Sequence, residues 1–290
     1  MLADTLARQM LFCTVRITNT SPLGTSTGTG FHFNASLDGT VSIPLIITNR
    51  HVVENATSLR FEVLHGNADL TVPKLGTRTD VTVDVDLASL PWVAHPDPQI
   101  DVVAIPARGI LNTVLPASGS QPFYRSLGPN LYPSAAAEAD LDAIEELTFV
   151  GYPNGWADDV HHTPIFRRAI TATPLALPFG GKPTFLLDGS VFGGSSGSPV
   201  FVYNRNGYTA EGSYHVGASR LLLVGIVSAT MVRQDLLPLE VSTAPHTRVA
   251  REMNLGVAYS WKSIEETVEA TCLFHNIERR NVAPSTVEVS

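Results

Sequence analysis

The 290-residue chain has 44% hydrophobic residues and a formal net charge of −8, from 19 Lys and Arg against 27 Asp and Glu. This hydrophobic content allows a large core and excludes a disordered chain, and the acidic balance without a basic patch argues against a nucleic-acid-binding protein. No apolar run approaches the ~20 residues of a membrane span, and the N-terminal residues lack a signal-peptide pattern, so we expect no membrane association.

Cysteine usage bears on the compartment. The only two cysteines, Cys13 and Cys272, lie near opposite ends of the chain. The sequence leaves a disulfide between them open, but so few cysteines favour a reducing compartment. No histidine motif is close to either residue, so both are interpreted as buried small hydrophobic residues. We therefore expect a cytoplasmic protein.

Short apolar or alternating runs dominate the chain and predict many β-strands. The first group is FCTVRIT, GTGFHF, VSIPLIITN, LRFEVL and DVVAIPA, and the second is ELTFVGYP, FRRAITATPLAL, PTFLLD, SPVFVY, LLLVGIVSA and LGVAYSW. Their β-branched residues and their Gly, Asn, Pro and Asp boundaries are typical of strands joined by turns. Two all-β halves are therefore predicted, over residues 1–115 and 145–262.

The segments outside these halves are a connector and a terminal helix. Residues 116–144 are rich in Pro, Ser and Ala, with one short helical turn predicted around AAAEADLDA. The only other predicted helix covers 263–276, where Ser263 is placed as the N-cap with Glu266 three residues later. Residues 263–290 are thus expected to form a C-terminal helix and tail.

The stretch GGSSGSP, residues 193–199, predicts a reactive serine. A Gly/Ser linker is the alternative, but linkers do not run directly into a buried-strand pattern such as SPVFVY. A serine nucleophile needs a tight turn that directs backbone N–H donors at one point, and glycine allows that turn. Ser196 fits as the nucleophile, with the N–H groups of Gly194 and Ser196 forming the oxyanion hole.

A serine nucleophile also needs a base and an orienting carboxylate. His51 follows the apolar strand PLIIT and is the preferred base, whereas His161 and His162 lie in a polar loop that could alternatively bind a metal. Asp101, which opens the strand of QIDVVAIPA, is the preferred carboxylate. Asp86 is the second choice.

The three motifs, in this order, resemble the trypsin/chymotrypsin-like serine peptidases. TNRHVV, IDVVAI and GGSSGSPVF match that family's T-A-A-H, D-I-A-L and G-D-S-G-G-P strings, and STGTGFHF and LLLVGIVSA match its G-S-G-F and G-I-V-S strands. The resemblance implies an all-β fold of two six-stranded antiparallel β-barrels with a C-terminal α-helix. It implies a His51, Asp101 and Ser196 triad supported by Ser228, with Thr48 as a further candidate, and no cofactor or metal.

Departures from the family pattern refine these expectations. Ser195 stands where zymogen-type members carry the Asp that receives a new N-terminus, so no activating cleavage is expected. Disulfides and a PDZ module are not expected either, and the chain most resembles the bacterial, intracellular, disulfide-free branch. The expected partners are protein or peptide substrates and a regulatory protein.

The resemblance also implies a substrate pocket formed by Ser190, Ser228, Ala229 and Thr230. Ser190 takes the position at the floor of the pocket. Cleavage after Arg or Lys would require a carboxylate there to pair with the buried cation, and Asp188 is two residues away from that position. Thr230 narrows the pocket. We therefore expect cleavage after small or medium apolar residues.

Two other functions remain open at this point. A catalytically silent binding module with a protease fold would carry the same strands. A serine esterase of the α/β-hydrolase type would need the order Ser, acid, His and a helix after the serine, and neither is predicted here. Serine endopeptidase is the preferred function.

Overall fold

In the computed structural model, the described residues are 3–36, 41–86, 90–118, 121–210, 212–238 and 246–277. They form a mostly β protein with two sheet systems and a helix near the C-terminus. The predicted tail beyond residue 277 lies outside the described residues. Within them, no helix is both long and apolar enough to cross a membrane.

The N-terminal region is an eight-stranded antiparallel sheet. Along its main path the order is β5-β4-β1-β2-β3-β7-β6, and β8 pairs with β4. The strands are β1 Thr14–Ser21, β2 Gly24–Asn34, β3 Pro44–Thr48, β4 Ser58–Gly66, β5 Pro73–Asp84, β6 Val93–Ala94, β7 Val103–Pro106 and β8 Gln121–Pro122.

The N-terminal sheet differs from the expected six-stranded barrel. Its order ends at β5 on one side and β6 on the other, and no pairing among the described strands joins these two edges. The short β6 and the long, largely exposed β5 were also absent from the predicted strands. The prediction of a closed barrel in this half is therefore not confirmed.

The C-terminal region is a closed six-stranded barrel of order β10-β11-β16-β15-β12-β9. This half of the fold prediction is confirmed. The strands are β9 Glu146–Gly151, β10 Ile165–Thr171, β11 Thr184–Asp188, β12 Pro199–Asn204, β15 Arg220–Pro238 and β16 His246–Ser260, and a separate hairpin consists of β13 Gly207–Ala210 and β14 Ser213–Val216.

In the described residues, five α-helices and three 3-10 turns accompany the strands. The α-helices are α1 Leu6–Met10, α2 Arg50–Val53, α3 Arg108–Ser118, α4 Ala135–Asp140 and α5 Trp261–Phe274, and the 3-10 turns are Pro129–Leu131, Pro153–Gly155 and Phe179–Gly181. The predicted helical turn in the connector is α4. Helix α3 was not predicted.

The terminal helix begins earlier than expected. Ser260 is the N-cap residue of α5, and Ser263 lies inside the helix, where it is fully buried. The cap prediction was therefore wrong by one turn, because the preceding strand β16 leads directly into the helix. Cys272 of this helix and Cys13 are both buried and not disulfide-bonded, as expected for structural cysteines.

Candidate active site

Strand pairing brings His51 and Asp101 together. Strand β3 ends at Thr48, where it pairs with Val103 at the start of the antiparallel strand β7. The end of one strand and the beginning of the other therefore lie side by side. Nδ1 of His51 is 2.5 Å from Oδ2 of Asp101, and the backbone N–H of His51 donates to Oδ1 at 3.0 Å. Both carboxylate oxygens thus contact the histidine.

Asp101 is also held by two neighbours, one at its carboxylate and one at its backbone carbonyl. Oγ of Ser228 donates to Oδ2 at 3.1 Å, and the side-chain amide of Asn49 donates to the Asp101 carbonyl at 2.7 Å. Burial alone would raise the pKa of Asp101, but the hydrogen bonds and charge of His51, together with Ser228, lower it below its ordinary value. The group is therefore a carboxylate at neutral pH, able to orient and stabilise a protonated imidazole.

Ser196 joins this arrangement through Ser228. Its Oγ donates to the Ser228 carbonyl at 2.9 Å, while the Ser228 hydroxyl binds Asp101. Among the described hydrogen bonds none links Ser196 to His51. Before substrate binds, catalytic hydrogen bonds are often long or misaligned. The neighbouring Ser195 is 1% exposed, so only Ser196 of this pair is accessible to a substrate.

The turn before Ser196 leaves two backbone donors available. The carbonyl of Gly193 accepts from Asn154 N at 2.5 Å, and the carbonyl of Ser195 accepts from Ser198 N at 3.0 Å. In a trans peptide the following N–H points away from the carbonyl, so the N–H groups of Gly194 and Ser196 lie on the opposite side. Within the described part of the chain neither N–H has an acceptor.

Gly194 is required by both conformation and space. Its φ of +80° lies in the left-handed region that favours glycine. A Cβ at this position would come within 2.5 Å of the Tyr152 carbonyl. The glycine therefore allows the turn that exposes the two donors.

Thr29 supports this turn from the N-terminal sheet. Its Oγ1 donates to the Gly194 carbonyl at 2.8 Å and accepts from Tyr152 N at 3.0 Å, and its N–H donates to the Ser196 carbonyl at 2.9 Å. The Thr29 carbonyl in turn accepts from Thr48 Oγ1 at 2.6 Å. The role of Thr29 was missed, because the sequence shows only a threonine between two glycines in STGTGFHF, and its full burial is seen only in the structure.

The predicted pocket residues lie on two neighbouring segments. Thr230 Oγ1 donates to the Val191 carbonyl at 2.9 Å, which ties β15 to the segment after β11. Ser190 is partly buried, Ser228 is buried and Ala229 is exposed. Asp188 is an exposed residue at the end of β11.

The alternative residues are not part of this arrangement. The His51 hydrogen bonds to a carboxylate go to Asp101 and not to Asp86. Nδ1 of His161 lies 3.0 Å from Oδ1 of Asp158, and Nδ1 of His162 lies 3.2 Å from Arg78. Across the described ranges, no three His, Cys, Asp or Glu side chains are grouped as metal ligands.

Comparisons with known proteins give one family model and several similar solved structures. Similar solved structures include the Rv3671c protease from M. tuberculosis in its active form (15% identity, TM-score 0.46, covering 93% of this chain and 85% of that one). Another is the HtrA-type protease AlgW with a tripeptide (13% identity, TM-score 0.49, covering 93% and 62%). No curated protein matches in sequence. Residues 28–208, more than half of the chain, match the family model of the trypsin-like peptidase domain, and the chain therefore belongs to that family.

Proposed function

We propose that the chain is a serine endopeptidase that hydrolyses peptide bonds through an acyl-enzyme intermediate. The observation that carries the proposal is the continuous hydrogen-bonded connection from His51 through Asp101 and Ser228 to Ser196. A base, its orienting carboxylate and an accessible hydroxyl are the groups that acyl transfer requires. The roles assigned below are those of the triad in characterised members of the family.

In the first half of the reaction, Ser196 attacks the scissile carbonyl and His51 accepts its proton. The C–N bond then breaks, and His51 donates that proton to the leaving amine. Asp101 holds Nδ1 of His51, so that Nε2 is the nitrogen that exchanges the proton. Water repeats the sequence in the second half and releases the acid product from Ser196.

The negative charge on the carbonyl oxygen develops beside the oxyanion turn. The N–H groups of Gly194 and Ser196 are the proposed donors, since their peptides are oriented by Asn154 and Ser198. Such preorganised donors stabilise the transition state without reorganisation during the reaction. No cofactor or metal is needed for these steps.

The local fold favours a peptidase over a serine esterase of the α/β-hydrolase type. That type places a helix directly after its nucleophile. Here strand β12 begins at Pro199, three residues after Ser196. We propose a cytoplasmic location because both cysteines are buried and not disulfide-bonded, and we expect protein or peptide substrates.

Labelling with a fluorophosphonate probe tests the proposal. The wild-type protein should be labelled on Ser196, as identified by peptide mapping, and Ser196→Ala should not be labelled. Ser195→Ala is the matched control and should be labelled like the wild type. A folded wild-type protein that neither reacts with the probe nor cleaves peptides would instead be the silent binding module.

A further inference from the structure

Arg167 begins on the interior face of the C-terminal barrel. Along β10, Ala169 and Thr171 are buried in the barrel, at 9% and 3% exposure. Alternate residues of a strand share a face, so Arg167, two residues earlier, is on the same face. Its neighbour Arg168 is on the outer face, where its side chain is 77% exposed and pairs with Glu146.

The Arg167 guanidinium lies against the segment that carries Ser190, the predicted floor of the pocket. Its Nη2 donates to the Ser190 carbonyl at 3.1 Å, and its Cζ lies 5.0 Å from the centroid of the Phe192 ring. The cation and the aromatic face attract each other, which fixes the side chain. Since Thr230 binds the carbonyl of Val191, the next residue, Arg167 and Thr230 hold this segment at adjacent positions.

This cation has no acidic partner in the described part of the chain. Arg167 forms no salt bridge there, although it is only partly exposed. A guanidinium has five N–H donors, and the Ser190 carbonyl occupies one of them. Arg–carboxylate pairs are strong and frequently bidentate, so a carboxylate reaching the pocket floor would find a suitable partner.

We propose that Arg167 makes the pocket select an acidic side chain, Glu or Asp, on the residue immediately before the cleaved bond. This inference rests on the proposed peptidase function and names its substrate class. It replaces the sequence-based expectation of a small or medium apolar residue. That expectation was based on Ser190 and on Ser228 to Thr230. Arg167 comes from a different strand, β10, and contacts Ser190 at the predicted floor of the pocket.

Peptides that differ only at this position test the inference. We would measure kcat/KM for substrates with Glu, Gln or Leu before the bond, using the wild type, Arg167→Gln and the control Arg168→Gln. The wild type should cleave the Glu peptide about 10- to 100-fold better than the Gln peptide, as expected for a charge-assisted pair. Arg167→Gln should remove this ratio, and Arg168→Gln should retain it.

The outcomes separate the two proposals. Fluorophosphonate labelling does not depend on a substrate side chain, so a labelled enzyme that prefers Leu or treats Glu and Gln alike would overturn only the acidic preference. A labelled Arg167→Gln variant with an unchanged ratio would do the same. Absence of both labelling and cleavage in the wild type would overturn both proposals. If Arg167→Gln does not fold, the wild-type ratio and its decrease at high salt provide the test.

Discussion

The N-terminal sheet and the C-terminal barrel contribute to the site in different ways. The sheet presents His51 and Asp101 at the ends of two paired strands, β3 and β7. The barrel presents Ser196 on an irregular segment between β11 and β12. A nucleophile on such a segment needs support from elsewhere, and much of it comes from the sheet through Thr29.

A charged network extends the same support. The Glu62 carboxylate, with its side chain only 6% exposed, binds both Arg16 and Arg78. Arg16 also donates to the Gly155 carbonyl at 2.7 Å. The segment 152–155 carries the groups that contact Gly193 and Gly194, so the sheet that holds the base also anchors the oxyanion turn. The two regions therefore support the candidate site together.

The largest expected decrease in activity follows from removing Ser196, which lies on the barrel, or His51, which lies on the sheet. Replacing either Ser196 or His51 with Ala should reduce kcat by about 10⁶-fold, because the triad works as a unit and fails when one member is lost. The effects of single substitutions within such a unit are not additive. The double variant should be no worse than either single variant. Steady-state peptide hydrolysis measures this, with Ser195→Ala as a control that retains most activity. An inactive Ser195→Ala beside an active Ser196→Ala would reverse the assignment.

Substituting Asp101 tests the part of the site that belongs to the N-terminal sheet, namely the orientation of His51. Asp101→Asn keeps the shape but replaces an acceptor with an amide, so His51 would adopt the wrong tautomer, and kcat should fall about 10⁴-fold. Asp86→Asn is the matched control and should leave kcat within about twofold. If the two variants have equal activity, Asp101 does not orient the base.

Thr29 tests the coupling between the regions. Thr29→Val has nearly the same shape but loses the hydroxyl that binds Gly194 and Tyr152. The oxyanion turn should loosen, and kcat should fall about 10- to 100-fold with little change in KM, less than for losing an oxyanion donor outright. Thr29→Ser restores the hydroxyl and should recover activity. Equal activity of the two variants would show that the turn is held without it.

The candidate catalytic residues could be selected from the sequence because each lies at a local pattern. His51 lies three residues after the end of the apolar strand PLIIT, and Asp101 opens the run DVVAIPA, so alternation and turn residues indicated both positions. The glycines of 193–197 similarly indicated a tight turn. Helix α3 was missed because RGILNTVLPAS contains a proline, which is unfavourable inside a helix.

Ser228 was expected beside Asp101 only from the family resemblance, and the roles of Thr29 and Arg167 could not be predicted because their contacts are distant in sequence. Thr29 and Gly194 are 165 positions apart, yet their atoms lie 2.8 Å from each other. Arg167 likewise is recognisable only once β10 is placed beside the segment after β11. The open edges of the N-terminal sheet depend on strand pairing in the same way. Strand patterns alone carry no such information.

A buried histidine in the N-terminal sheet is expected to make the stability of the protein depend on pH. His32 of β2 is 3% exposed, stacks on Tyr124 with ring centroids 4.5 Å apart, and its Nδ1 has no partner among the described residues. Burial lowers the pKa of His32 from 6.5 to about 3. The unfolded chain therefore binds a proton at pH values where the folded protein does not.

The last expected effect is accordingly on stability rather than on activity, in the window between pH 6.5 and 3. Because the unfolded state takes up the proton there, the free energy of unfolding should fall as the pH decreases, by about 1.4 kcal/mol per pH unit from His32 alone. His32→Phe preserves the ring and removes the titration, so urea unfolding should show about 2 to 3 kcal/mol less loss between pH 7 and 4.5 than in the wild type. His161→Gln, a change at an exposed histidine, should retain the wild-type loss. If His32→Phe and the wild type lose stability in parallel, the acid sensitivity has another origin.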